Sequence, residues 1–199
     1  MSMNNETKHP KKGETFEQWF EGSKVVDEKG LPLVVYHGTG HGGFISFDRS
    51  SWKTAYGHFF TPCKEAADFY SHGPNPKTFE VFLAVKNPLR LDKIVEYAVL
   101  PPEWLKKWIA DSFEAEYGEP MQQFYDWIGG ADLYSNCLGR LQSDLMATAE
   151  ENGHDGVAFF DSKGGGGVAL SWVVFEPTQI RDVTNIHGSH DPGDPNVTN

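Results

Sequence analysis

The chain has 199 residues, 39% of them apolar and 14% aromatic, enough to bury the core of one domain without disulfide staples. Its 28 acidic and 17 basic side chains give a formal charge of −11, which argues against a broad non-specific grip on nucleic acid and leaves only a local basic patch for such a contact. No apolar run matches a membrane span, the polar start with Lys8, Lys11 and Lys12 lacks a signal core, and Cys63 and Cys137 make no disulfide framework, so a reduced cytoplasm is expected.

Residues 1–13 read as a disordered polar tail, 14–185 as one domain, and 186–199, rich in His, Gly, Pro, Asp and Asn, as a second disordered tail. Phe16, Trp19 and Phe20 have the i, i+3, i+4 spacing of a short amphipathic helix over 14–20. Lys24 to Leu31 reads as an extended piece with a turn at Lys29-Gly30. Pro32 to His37 is a buried strand closed by Gly38-Thr39-Gly40, and Phe44 to Phe47 is extended. A helix follows over Glu65 to Ser71, then a strong strand over Phe79 to Val85 and a short one over Leu89 to Leu91 across the Asn87-Pro88 turn.

Between about 92 and 152 the period changes. Trp104 and Trp108, then Phe124 and Trp127, then Leu138, Leu141, Leu145 and Ala149 recur at helical spacing, and Pro and Gly pairs divide the stretch into about three helices. Strand periodicity resumes over Gly156 to Phe160 and over Val168 to Phe175. The glycines at 164–167 between them predict a hairpin turn rather than a phosphate loop, since no Lys-Ser/Thr follows and no helix starts there. Strands, a helical insertion and strands again make an α+β domain rather than an alternating βαβ one.

Three blocks carry candidate chemistry. Tyr36-His37-Gly38-Thr39 delivers a histidine to a strand end, followed by a glycine that lets backbone approach a planar amide. Gly57 to Tyr70 places Phe59 and Tyr70 where two rings can sandwich a flat heteroaromatic. In Leu170 to Ile180, strand alternation puts Ser171, Val173 and Phe175 on one face and Trp172, Val174 and Glu176 on the other. Taken singly, each block reads as well as an ordinary turn, core packing or a strand edge. His41, His58 and His72 show no metal-ligand spacing, and no metal is expected.

Taken in order, the blocks resemble the diphtheria-toxin-like branch of ADP-ribosyltransferases, which includes the poly(ADP-ribose) polymerases, and more closely the ADP-ribosyltransferase domains of phage polyvalent proteins. The matching residues are Phe16-x-x-Trp-Phe20, Ser23-Lys-Val-Val26, Pro32-Leu-Val-Val-Tyr-His-Gly-Thr39, Phe44 and Phe47, Gly57-x-Phe-Phe-Thr61 with Tyr70, Asn87-Pro-Leu89, Gly153-x-Asp-Gly156 and Val173-Val-Phe-x-Pro-x-Gln-Ile180. The resemblance implies a split pair of small antiparallel sheets carrying the helical insertion at about 92–152. It implies NAD as substrate, bound by Tyr36, His37, Gly38, Thr39, Phe59 and Tyr70, with His37, Tyr70 and Ser171 as the catalytic triad positions. His37 would bond the adenine-side ribose, Gly38 the nicotinamide carboxamide, and Tyr70 would stack on the nicotinamide ring, with Phe59 replacing a second tyrosine.

Besides Phe59, the sequence departs from the family at a position that carries charge. The family's glutamate, which fixes the nicotinamide ribose and stabilises positive charge as the glycosidic bond breaks, falls at Ser171. Glu176, by alternation, points the other way, and Asp155 and Asp161 are expected as turn or surface residues. The activity expected is mono-ADP-ribosyl transfer, a toxin-like glycosyltransferase reaction, to a macromolecular acceptor, protein favoured over nucleic acid. The setting expected is the cytoplasm of a bacterial host, from a phage or mobile element, as a monomer without membrane contact. The alternatives are a weakened or inactive NAD- or nucleotide-binding module, an NAD glycohydrolase and, least supported, a nuclease-type toxin domain.

Overall fold

A computed structural model of the chain describes residues 14–49, 57–96, 98–117, 139–162 and 168–185. In chain order the elements are α1 (Phe16–Phe20), β1 (Val35–Thr39), β2 (His58–Phe60), α2 (Lys64–Asp68), β3 (Lys77–Leu83) and β4 (Leu89–Arg90). Then come α3 (Leu91–Val95), α4 (Glu103–Tyr117), α5 (Gly139–Glu151), β5 (Gly156–Ser162), β6 (Val168–Val174), a 3₁₀ turn (Pro177–Gln179) and β7 (Ile180–Asp182). The strands form two small sheets, a three-stranded one in the order β1-β3-β7 and a four-stranded one in the order β2-β6-β5-β4.

The alternation read from Val168 to Phe175 sets the layers. Trp172 and Val174 face the smaller sheet and join Val35, Phe60, Phe79, Val81 and Leu83 in a core between the sheets. Val173 and Phe175 face the other way, with Val157 and Phe159, against Leu105 and Ile109 of α4 and Leu145, Met146 and Ala149 of α5. Each fully buried Val, Leu, Ile or Phe in these layers contributes about 1.5–3 kcal/mol. The helical reading of 92–152 therefore holds at α3, α4 and α5, while Phe124, Trp127 and Leu138 lie outside the described residues, as do the glycines at 164–167 and both expected tails.

Three local readings are corrected. β1 starts at Val35, not Pro32: Pro32 pairs only in an isolated bridge with Val26. The turn between those residues is held by the Asp27 carboxylate, which accepts the N–H groups of Lys29 at 2.8 Å and Leu31 at 2.9 Å. Leu91 opens α3 instead of closing a strand. The smaller sheet is antiparallel throughout, whereas the larger one is mixed, because β4 pairs with β5 in parallel through Leu89↔Val157 and Arg90↔Ala158. Parallel neighbours need a long crossover, and the helical insertion between them is one.

Several motif residues tie the layers together. The Gln179 side-chain carbonyl accepts the N–H groups of Phe175 (3.0 Å) and Glu176 (2.8 Å), while its amide donates to the carbonyls of Asp155 (2.7 Å) and Ala84 (3.3 Å). One side chain thus joins the ends of β3 and β6 to the start of β5. The Asp155 carboxylate accepts the N–H groups of Lys86 (2.6 Å) and Asn87 (2.8 Å), and the Asn87 amide donates to the Gly153 carbonyl at 2.9 Å. The Asn87-Pro-Leu89 and Gly153-x-Asp-Gly156 blocks are therefore one hydrogen-bonded knot. Asp155→Ala should lower the thermal midpoint by an amount corresponding to about 1–3 kcal/mol, since two backbone donors lose a charged acceptor; an unchanged midpoint would show that water replaces it.

Candidate active site

β1 ends where α2 crosses it. Gly38 is the contact point: a Cβ there would overlap the Ala67 carbonyl oxygen and stand 2.9 Å from Ser71 Oγ. α2 is pinned on its far side by Thr78 Oγ1 donating to Asp68 Oδ1 at 2.6 Å and by Ser71 Oγ donating to the Lys77 carbonyl at 3.0 Å. Between those two anchors stands Tyr70, 54% exposed. A tyrosine ring left that open is a surface on which a flat ligand can stack. Its phenol is raised above the ordinary value, by burial first and then by the charge of Asp161.

His37 reaches the larger sheet. Its Nδ1 lies 2.8 Å from the Phe59 carbonyl of β2. A carbonyl only accepts, so Nδ1 carries the proton, and in the neutral ring Nε2 is then an acceptor for a hydroxyl. The ring is packed by Phe47 at 5.1 Å and Phe60 at 5.4 Å between centroids. Burial lowers its basicity, against the raising effect of the Phe59 hydrogen bond, which keeps the imidazole neutral at pH 7. Next to it, Tyr36 and Thr61 exchange backbone hydrogen bonds of 2.8 and 3.0 Å, which joins the strand ends of the two sheets. Thr39 Oγ1 accepts the His41 N–H at 3.2 Å.

Phe59 packs its ring edge-on against Phe159 at 6.2 Å and is the cross-strand partner of Val173. Ser171 is buried, 6% exposed, with Phe159 directly opposite it in the β5–β6 ladder. So β2 connects the two ends of the candidate site: its Phe59 carbonyl holds His37, and its Phe59 ring lies on the sheet face that carries Val173. His37 itself faces the layer between the sheets, and Ser171 belongs to the helix-side face. Among the described residues, no hydrogen bond joins His37, Tyr70 and Ser171 to one another; His37 bonds the Phe59 carbonyl, Ser171 stands opposite Phe159, and the Tyr70 phenol feels the charge of Asp161.

The acidic candidates separate. Asp155 is the turn residue expected of it. Glu176 lies past the end of β6, is exposed, and stands at the N-cap of the 3₁₀ turn, where its backbone carbonyl accepts the Gln179 N–H at 3.0 Å and its carboxylate lies 3.9 Å from Arg49 Nη1. Asp161, read from the sequence as a turn or surface residue, is instead inside β5 opposite Ala169, with Oδ1 shielded from solvent. In the sequence, a single acid near the end of a short apolar run resembles a strand terminus, and only the strand pairing places it inside β5.

Two small sheets, one backed by helices, form a split-sheet α+β fold with a His-Gly strand end and an exposed tyrosine beside it. A family profile of the ADP-ribosyltransferases found in polyvalent proteins matches residues 27–190. The chain belongs to that family, which places the domain among proteins that transfer ADP-ribose. No curated protein and no solved structure matches the chain. Among the described residues, no helix is long and apolar enough to cross a membrane.

Proposed function

We propose that the domain is a mono-ADP-ribosyltransferase that takes NAD, releases nicotinamide and passes ADP-ribose to a macromolecular acceptor, a protein before a nucleic acid, in a bacterial cytoplasm entered by a phage or mobile element. The observation that carries this reading, beyond family membership, is the pairing of β1 with α2 through Gly38, which sets the half-exposed Tyr70 ring beside the strand bearing His37. In this reading His37 Nε2 accepts a hydroxyl of the adenine-side ribose, the Gly38 backbone meets the carboxamide, and Tyr70 stacks on the nicotinamide. Tyr36 and Thr39 shape the strand end, Phe59 walls the cleft, and Ser171 donates to or accepts from a ribose hydroxyl.

The reaction is a substitution at C1′ of the nicotinamide ribose. The bond from C1′ to the pyridinium nitrogen breaks, its electron pair neutralises nicotinamide, and C1′ carries positive charge until the acceptor's nucleophile bonds to it and loses a proton to solvent. A stacked, desolvated ring orients that leaving group. Ser171 brings no charge to the developing cation, and this favours, as a second reading, a weakened NAD-binding module.

Incubation of the protein with adenylate-labelled NAD and bacterial lysate tests both. Label on protein is the expected result; label on nucleic acid moves the acceptor, free ADP-ribose alone marks a glycohydrolase, and tight binding without nicotinamide release marks the module. Tyr70→Ala should cut nicotinamide release by about 5- to 150-fold through lost stacking, for which about 1–3 kcal/mol per ring is typical. Ser171→Ala should cost roughly fivefold, the equivalent of one hydrogen bond of about 1 kcal/mol. Glu176→Gln should leave the rate unchanged; if it abolishes release while Ser171→Ala does not, the strand register assigned to the site is wrong.

A further inference from the structure

The serine at position 171 leaves the site's positive charge to be balanced by some other group, and the strand next to it holds one. β5 and β6 are antiparallel with Phe159 opposite Ser171 and Asp161 opposite Ala169. Directly opposed residues share a face, and residues two apart in a strand share it too. Asp161, Phe159, Ser171 and Ala169 therefore lie on one face of the larger sheet, and Asp161 is the diagonal neighbour of Ser171, about 7–8 Å away as such pairs are. Its Oδ1 is shielded from solvent. We infer that Asp161 is the carboxylate of this site, supplied from β5 in place of a glutamate at Ser171 on β6.

Three other acids are held elsewhere in the fold. Asp155 holds the Lys86-Asn87 turn, the Glu176 carboxylate lies 3.9 Å from Arg49 Nη1, and Glu150 takes a two-pronged ion pair from Arg49 at 2.9 and 3.1 Å. Asp161 is also the acid whose charge reaches the Tyr70 phenol, which ties β5 to the tip of α2 where the nicotinamide would stack. A carboxylate at that spot faces the C1′ cation as the bond to nicotinamide breaks. It takes no part in the bond exchange: the electron pair leaves with nicotinamide, the acceptor's nucleophile forms the new bond, and its proton goes to solvent. The role is electrostatic, and its strength comes from being held fixed in a partly desolvated place before the reaction begins.

The inference rests on the transferase reading above, and one set of measurements separates their failures. Nicotinamide release and NAD binding by calorimetry are measured for the natural protein, Asp161→Asn, and Asp161→Asn combined with Ser171→Glu. Asp161→Asn should lower kcat about 100-fold or more, the scale of losing one preorganised electrostatic group, while KM and the NAD dissociation constant stay within about threefold, as expected for a group acting mainly in the transition state. The double variant should recover at least tenfold of the lost kcat, because the carboxylate returns one strand over; an unfolded or merely loosened chain would gain nothing from that change. Turnover in Asp161→Asn within threefold of natural overturns the inference and leaves the transferase standing. Failure of Ser171→Glu to restore any of it overturns the inference as well. Absence of nicotinamide release from the natural protein overturns both.

Discussion

Gly38→Ala is expected to cost about 2–3 kcal/mol in stability and to remove most of the affinity for NAD. The added methyl would overlap the Ala67 carbonyl, a backbone atom that no rotamer change can move aside. Overfilled contacts of this kind typically cost 1–3 kcal/mol, more where the neighbours are held. α2 is held, by Asp68 to Thr78 and by Ser71 to Lys77. The helix must therefore tilt or slide, and Tyr70, three residues past Ala67, moves with it. Gly22→Ala is the control: Gly22 has φ +81° and nothing within 4 Å of the new Cβ, so it bears only the left-handed backbone strain, about 1–2 kcal/mol, and should leave NAD binding intact. Urea midpoints at constant slope and NAD calorimetry on both variants decide the matter. Equal losses in the two would mean that the α2–β1 contact yields, and that Gly38 does not position Tyr70.

The second large effect is in acid. His58 is 3% exposed, with its ring edge-on to Phe47 at 5.1 Å, and its pKa is lowered to about 4. Burial is the main cause, followed by the charges of His37 and Arg49, with Asp48 opposing them. The unfolded chain therefore takes up a proton near pH 6.5 that the folded chain refuses until about pH 4. Stability contributed by keeping this ring neutral is complete above pH 6.5 and drains away as pH falls towards 4, by about 3 kcal/mol in total. Burial acts on His37 in the same direction. Between pH 7 and 4.5 the natural protein should lose about 2–3 kcal/mol more than His58→Leu, a variant with no proton to take up there. Parallel stability curves for the two would show that the His58 ring is hydrated in the folded state. The effect on stability belongs to the core between the sheets, where the His58 ring packs on Phe47.

Much of the fold was legible because its elements are short-range events. The Phe16, Trp19, Phe20 spacing became α1, closed by a capping box in which Thr15 Oγ1 accepts the Gln18 N–H at 3.3 Å. The alternation from Val168 to Phe175 became the two-faced β6 that separates the cores. The change of period after Asp92 became α3, α4 and α5. Strand starts were less legible. The apolar run beginning at Pro32 looked like strand, but Pro32 has no N–H to enter a ladder, and pairing begins at Val35.

Motif residues split into two kinds that sequence alone does not distinguish. His37 and Gly38 close β1, Phe59 accepts the His37 ring N–H through its carbonyl, and Tyr70 stands exposed beside Ser71, which faces Gly38. Asn87, Gly153, Asp155 and Gln179 sit in equally specific spacings, yet their side chains and carbonyls are consumed by backbone hydrogen bonds that hold β3, β5 and β6 together. Both kinds are exacting in residue type, the first for the roles proposed for it and the second because each backbone donor in the knot meets one particular acceptor at hydrogen-bond distance.

What the amino-acid sequence determined by itself is most of the elements, the alternation of faces along β6, and the family. Those follow from periods of two or 3.6 residues and from ordered blocks, all of which act within a few residues of themselves. Only the tertiary structure decided which strand lies beside which: the parallel β4–β5 pair closed by the helical insertion, the Gly38 contact with Ala67, and the β5–β6 register that sets Asp161 diagonal to Ser171. Register is decided by cores assembled from residues far apart in the chain, and a one-residue slip would turn Asp161 to the opposite face. The local pattern around Asp161 is the same in either register, so its place beside Ser171 exists only in the folded sheet.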